Sequence, residues 1–158
     1  MPEDLRAQVL LVDDEPDHAD VMAEALRKPG HVCTIATTVA QALDELKHGT
    51  FDIIITDLRM PTSAGTAATT PNAQPVANDG ANAGLVVLHA ARTLQPQAET
   101  IMVTAHGDIP TAKKALQGGA YDFIEKPIDL VVFRNLVQRA AETVALRQRN
   151  TRLKGDLD

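Results

Sequence analysis

The chain has 158 residues, about one domain's worth, and its 44% hydrophobic and 23% charged content is an ordinary globular balance that argues against wholesale disorder. Its longest apolar runs are strand-sized, and the residues after Met1 carry acids in place of the apolar stretch of a signal peptide, so no membrane contact and a cytoplasmic location are expected. With 15 Lys+Arg against 21 Asp+Glu the net charge is −6, and one Tyr and three Phe offer no stacking platform, so direct nucleic-acid binding by this segment is not expected; the single cysteine, Cys33, excludes an internal disulfide.

In chain order, Val9 to Val12 reads VLLV and runs straight into Asp13, Asp14 and Glu15. Unbroken aliphatic runs of this length suit parallel strands covered on both faces. Val21, Met22, Ala25 and Leu26 then repeat at helical spacing, Val32 to Ile35 forms a weaker strand, and Ala42, Leu43 and Leu46 mark a second helix. Ile53 to Thr56 reads IIIT and runs into Asp57. The stretch Ala64 to Ala83 differs from its surroundings: Ala, Thr, Asn, Pro and Gly dominate, Val76 is its only larger aliphatic and Asp79 its only charge. Such a segment contributes no packed core and reads as a long surface loop, inserted before a third helix opened by Gly84 and carrying Leu85, Leu88 and Leu94. Thr100 to Val103 and the short Asp122 to Ile124 complete five strands. At the C-terminus Phe133, Val137, Ala140 and Val144 make one helical stripe, and a second, Leu146, Asn150, Leu153 and Leu157, restarts in a shifted register. The alternation implies an α/β fold, a right-handed, doubly wound five-stranded parallel sheet with ligands at the carboxyl ends of its strands and an extended C-terminal helix.

That sheet collects Asp13 and Asp14 from strand one, Asp57 from strand three, Thr104 from strand four and Lys126 from beyond strand five on one edge. Three carboxylates in one crevice repel each other, and Mg²⁺, a hard cation that takes oxygen ligands, relieves the repulsion. With the metal and Lys126 the site balances to neutral and has room for a phosphoryl group. Asp57 is then the nucleophile, and Lys126, the Thr104 hydroxyl and nearby backbone N–H groups bind the phosphoryl oxygens.

The segments VLLVDDEPD, IIITDLRMP, IMVTAHGD and GGAYDFIEKPID resemble, in order and near-family spacing, the receiver domain of bacterial two-component response regulators. The resemblance implies a flavodoxin-like (βα)5 fold over residues 8–145, with 64–83 as a loop insertion and 146–158 as a helical linker or tail. It also implies that Asp57 is the phosphoacceptor, Asp13 and Asp14 the Mg²⁺-holding acids and Arg59 the donor of a backbone carbonyl to the metal. Thr104 is then the switch hydroxyl, Phe123 the switch aromatic and Lys126 the family's lysine, joined to Pro127 by a cis peptide. The implied role is a switch: a sensor histidine kinase supplies the phosphoryl group and an output module outside this chain, transcriptional in kind, responds. The tail is similar to linkers in enhancer-binding activators of the nitrogen-regulatory type, and a weak homodimer through it is expected.

Two departures stand out. The family places a glycine about four residues after the proline that follows the acceptor, whereas Gly84 lies about 19 residues further on than that spacing allows; and Phe123 stands where tyrosine is frequent. Other readings are an aspartyl-phosphate phosphatase or phosphotransferase, for which Asp13-Asp14-Glu15 lacks the DxD spacing, a flavodoxin-like electron carrier, whose phosphate these acids would repel, and a stand-alone or hybrid-kinase receiver. The five histidines, His18, His31, His48, His89 and His106, contain no i, i+4 pair, and solvated or capping roles are expected of them.

Overall fold

The computed structural model describes residues 6–60 and 83–157. Five strands, β1 (Gln8–Val12), β2 (Val32–Ala36), β3 (Ile53–Asp57), β4 (Glu99–Thr104) and β5 (Asp122–Glu125), form one parallel sheet in the order β2-β1-β3-β4-β5. Among the described residues five helices alternate with them: α1 (Pro16–Arg27), α2 (Val39–His48), α3 (Ala83–Leu94), α4 (Ile109–Gln117) and α5 (Leu130–Leu157), with a short 3-10 turn at His106–Asp108. Every expected strand lies inside an observed one, lengthened by a residue or two, and α3 opens at Ala83, one residue before Gly84. The rest of the expected insertion, 64–82, falls outside the described residues.

The aliphatic runs read as strands because both faces of the sheet are covered, so successive side chains are buried in alternate layers. Val9, Leu11, Ile53, Ile55, Ile101 and Val103 pack on Met22 and Leu26 of α1 and on Phe133, Leu136, Val137 and Ala140 of α5. The intervening Leu10, Val12 and Ile54 face the other way, onto Ala42 and Leu46 of α2 and Val87 and Ala91 of α3. A third cluster joins Met102 and Leu58 to Leu88, Ala112 and Ala115, with Phe123 against it. Helices start where local chemistry allows. Pro16 occupies the first turn of α1, Thr38 Oγ1 accepts the Gln41 N–H at 3.0 Å to cap α2, and Asp129 Oδ1 accepts the Val131 and Val132 N–H groups at the head of α5.

The stripe Phe133, Val137, Ala140 and Val144 is buried as its spacing implies. Past Val144 the helix does not leave the domain at once. Arg147 Nη1 donates to the Gln97 carbonyl at 3.1 Å and lies 3.4 Å from Glu99 Oε1, while Gln148 Nε2 donates to Asp52 Oδ1 at 3.2 Å. These contacts grip the edge of the sheet opposite the carboxyl ends. No helix among the described residues is long and apolar enough to cross a membrane.

Candidate acidic site at the carboxyl ends of the strands

Strand order reverses between β1 and β3, because the chain moves outward from β1 to β2 and then returns past β1 to β3; that reversal opens a crevice beyond the strand ends. Asp13 and Asp14 follow β1, and Asp57 closes β3. One oxygen from each of Asp13, Asp14 and Asp57 lies within 4.8 Å of the others, a separation one cation can span. Asp13 is fully buried, Asp57 is 6% exposed, and Asp14 is partly open. The donor set is oxygen only and fits a hard divalent cation.

Across the crevice, Lys126 Nζ donates to Asp57 Oδ2 at 3.0 Å. The Lys126 backbone is tied to the same edge, since its N–H donates to the Thr104 carbonyl at 2.8 Å. The Lys126–Pro127 peptide is cis. Thr104 is buried, and its hydroxyl donates to the Ala105 carbonyl at 3.2 Å. Phe123, on β5 opposite Met102, is half-buried against the third cluster. The side chains of Asp13, Asp14, Asp57, Thr104 and Lys126 thus stand on one edge, as the strand reading requires.

Arg59 behaves differently. Its half-exposed side chain turns to Asp108, with Nη2 at 2.9 Å from Oδ1 and Nε at 3.3 Å from Oδ2, so a two-pronged ion pair bridges the loops after β3 and β4. Nothing in the local sequence announces this pair, whose members are far apart along the chain.

Electrostatics follow from burial. Withdrawal from water raises the Asp57 carboxyl from its ordinary 3.8 to about 6; the Lys126 hydrogen bond and charge oppose that rise, and the negative charges of Asp13 and Asp14 add to it. For Lys126 the balance is reversed: burial pulls it down, but the hydrogen bond and charge of Asp57, with Asp13 and Glu15, outweigh burial and hold it above the usual lysine range. At neutral pH the Asp57 carboxylate and the Lys126 ammonium are both charged.

Close backbone approach shapes the rim. Gly84, in the first turn of α3, donates its N–H to the Leu58 carbonyl at 2.9 Å, and a Cβ there would meet the Asp57 carbonyl oxygen at 2.7 Å and Leu58 Cα at 2.8 Å. Only glycine admits that contact. Gly84 thus lies in the opening turn of α3 and also lets that helix close on the end of β3.

Two histidines depart from the solvated or capping roles expected of them. His31 is buried and its Nδ1 accepts the Ala7 N–H at 2.9 Å; burial lowers its pKa. His18 lies in the first turn of α1 with Nδ1 at 2.7 Å from Asp13 Oδ2. A signal for it was present: Pro16 starts a helix directly after the acidic pair, and the first turn of that helix folds back over Asp13. His106 contributes no described side chain.

Comparison with known proteins agrees with this geometry. The family model described as "Response regulator receiver domain" matches residues 9–71 and 80–138, with its break inside the expected insertion. The chain is 34% identical over 145 residues to the response regulator protein PilR of Pseudomonas aeruginosa, covering 92% of this chain and 27% of PilR. A crystal structure of NtrX from Brucella abortus superposes with a TM-score of 0.74 at 30% identity, over 94% of this chain and 29% of NtrX. The receiver domain of that NtrX, solved alone, matches over 86% of this chain and 99% of its own length, with a TM-score of 0.69 at 29% identity. The chain therefore spans under a third of the length of its full-length relatives and nearly the whole of an isolated receiver. An acidic crevice at the β1/β3 reversal, a lysine on the central carboxylate and a family match over most of the chain have one reading: this chain belongs to the response regulator receiver domain family.

Proposed function

We propose that the chain is a phosphorylation-dependent switch in which Asp57 accepts a phosphoryl group from a sensor histidine kinase. The observation that carries the reading is Lys126 Nζ at 3.0 Å from Asp57 Oδ2 within the Asp13, Asp14 and Asp57 cluster. Asp13, Asp14, Asp57 and the Arg59 backbone carbonyl would hold Mg²⁺, which when bound would offset the negative charge of the acids and of the incoming phosphoryl group. With Oδ2 engaged by Lys126, Oδ1 of Asp57 is the oxygen offered to phosphorus. A P–O bond forms there, the P–N bond of the phosphohistidine breaks, and the leaving imidazole takes up a proton. The carboxyl pKa of about 6 keeps Asp57 ionised, hence nucleophilic, at cytoplasmic pH.

Lys126 then follows the new negative charge, the Thr104 hydroxyl exchanges the Ala105 carbonyl for a phosphoryl oxygen, and Phe123, on β5 beside β4, shifts in response. The altered α4, β5 and α5 surface is read by an output module, transcriptional in kind. The receiver proper occupies residues 8–145, and 146–158 is a helical linker or tail, through which a weak homodimer forms. Incubation with Mg²⁺ and acetyl phosphate tests the acceptor. Intact mass should rise by one phosphoryl group, and Asp57→Asn should abolish the gain; labelling of the Asn variant at the wild-type rate refutes the assignment.

A further inference from the structure

Asp13 is a carboxylate with no exposed side-chain surface, so its oxygens must find donors within the protein. Each oxygen takes one. Oδ1 accepts the Glu15 N–H at 2.9 Å, and Oδ2 receives His18 Nδ1 at 2.7 Å. A carboxylate only accepts, so Nδ1 carries the proton in either charge state of the ring. The first donor is backbone and comes with the turn after β1. The second is a side chain that the fold does not dictate, because an apolar residue would sit as well in the first turn of α1.

Asp13 also faces the rest of the site, for its charge acts on both Asp57 and Lys126. Without a donor on Oδ2 the carboxylate would be free to rotate towards Lys126 or to crowd Asp14 and Asp57. With donors on opposite oxygens its torsions are fixed, and the remaining lone pairs point in set directions.

We propose that His18 is a positioning residue for the acidic site, holding the Asp13 carboxylate through Nδ1–H in the orientation that serves a divalent cation. The inference rests on the metal-dependent reading above and names a residue that reading does not use. Partners that orient metal-facing groups commonly govern about 10–100-fold in affinity. The ring offers a discriminating test. Asn places Nδ2 where His places Nδ1, whereas Gln places its amide nitrogen where His places Nε2, so Asn can restore the donor and Gln cannot.

Mg²⁺ affinity is measured by calorimetry on the intact chain and on His18→Asn, His18→Gln and His18→Leu, with thermal unfolding in chelator as a check on folding. Gln and Leu should bind Mg²⁺ about tenfold more weakly than wild type, and Asn within about threefold of wild type. A role in packing alone reverses that order, since Asn is the poorest helix former of the three. Equal affinity of His18→Gln and wild type, or an Asn variant as weak as Gln, overturns the proposal; if Leu fails to fold, the Asn and Gln pair decides it. A wild-type chain that takes up no Mg²⁺ would refute the metal site itself, whereas measurable wild-type binding with no difference among variants refutes His18 alone.

Discussion

Burying the Asp57 carboxylate costs stability, and Asp57→Asn should recover it with a defined pH dependence. Asp57 is 6% exposed, and its pKa rises from 3.8 to about 6 on folding because burial outweighs the Lys126 contact. At about 1.4 kcal/mol for each pH unit between those values, the ionised group costs roughly 3 kcal/mol. Below pH ~4 both folded and unfolded chains hold the proton, and the penalty is absent. Between pH ~4 and ~6 the unfolded chain releases its proton while the folded one retains it, so wild-type stability falls as pH rises, and above about 6 the penalty is complete. That cost is already net of the Lys126 contact, and the Lys126 side chain, 29% exposed, keeps water when the charge is removed, so the gain at pH 8 should be about 2–3 kcal/mol. Urea unfolding of both proteins in chelator reads this as a rise of roughly 1 M in midpoint at pH 8, shrinking towards zero near pH 4. Saturating Mg²⁺ should close the gap by binding the wild-type acids. An Asn variant no more stable than wild type at pH 8, or a gain that does not change with pH, refutes the reasoning.

Gly84→Ala forces a Cβ against the Asp57 carbonyl oxygen and Leu58 Cα, both backbone atoms that move only with the end of β3, so calorimetry should show a loss of about 2 kcal/mol, or about 6 °C in Tm, with slower labelling of Asp57; an unchanged Tm refutes the close approach. Lys126→Ala should leave the fold intact and Asp57 still open to labelling, but abolish phosphorylation-dependent changes in hydrogen exchange over β5 and α4; changes of wild-type size would show that the lysine does not carry the signal. Sedimentation of the intact chain against one ending at Gln148, which keeps the Arg147 and Gln148 contacts, should show weaker association of the shorter form, and equal association excludes the tail as the dimer element.

The strands were legible because a parallel sheet covered on both faces needs aliphatic side chains at consecutive positions, and Ile53, Ile54 and Ile55 alternate between two cores while reading as one run. The acidic edge was legible for a related reason: a carboxylate that ends such a run has to lie at the mouth of the sheet, as Asp13 and Asp57 do. What escaped the sequence depends on side chains meeting across the fold. Arg59 and Asp108 belong to different loops, and neither position has a periodicity to betray the partner. Gln95 is similar: its amide donates to the Leu46 and Gly49 carbonyls and accepts the Phe51 N–H, satisfying three backbone groups around the turn between α2 and β3. His18 has no histidine partner at i, i+4, the spacing that would mark it in the sequence; its partner is a carboxylate reached across the turn that begins α1.

The grip of Arg147 on Glu99 and the Gln97 carbonyl gives β4 a mechanical meaning. That strand begins at Glu99 and ends at Thr104, so a single strut of six residues, about 20 Å long, has the hydroxyl of the acidic crevice at one end and the clamp on α5 at the other. Beyond Gln148 the helix runs on to Leu157, an arm of about 14 Å at about 1.5 Å per residue. Pivoted at the clamp, a tilt of about 10° would swing the tip of that arm by about 2.5 Å, a distance comparable to half a helical turn. A displacement too small to disturb the packing beneath Phe133 and Val137 is thereby enlarged outside the domain, where a neighbouring module could register it.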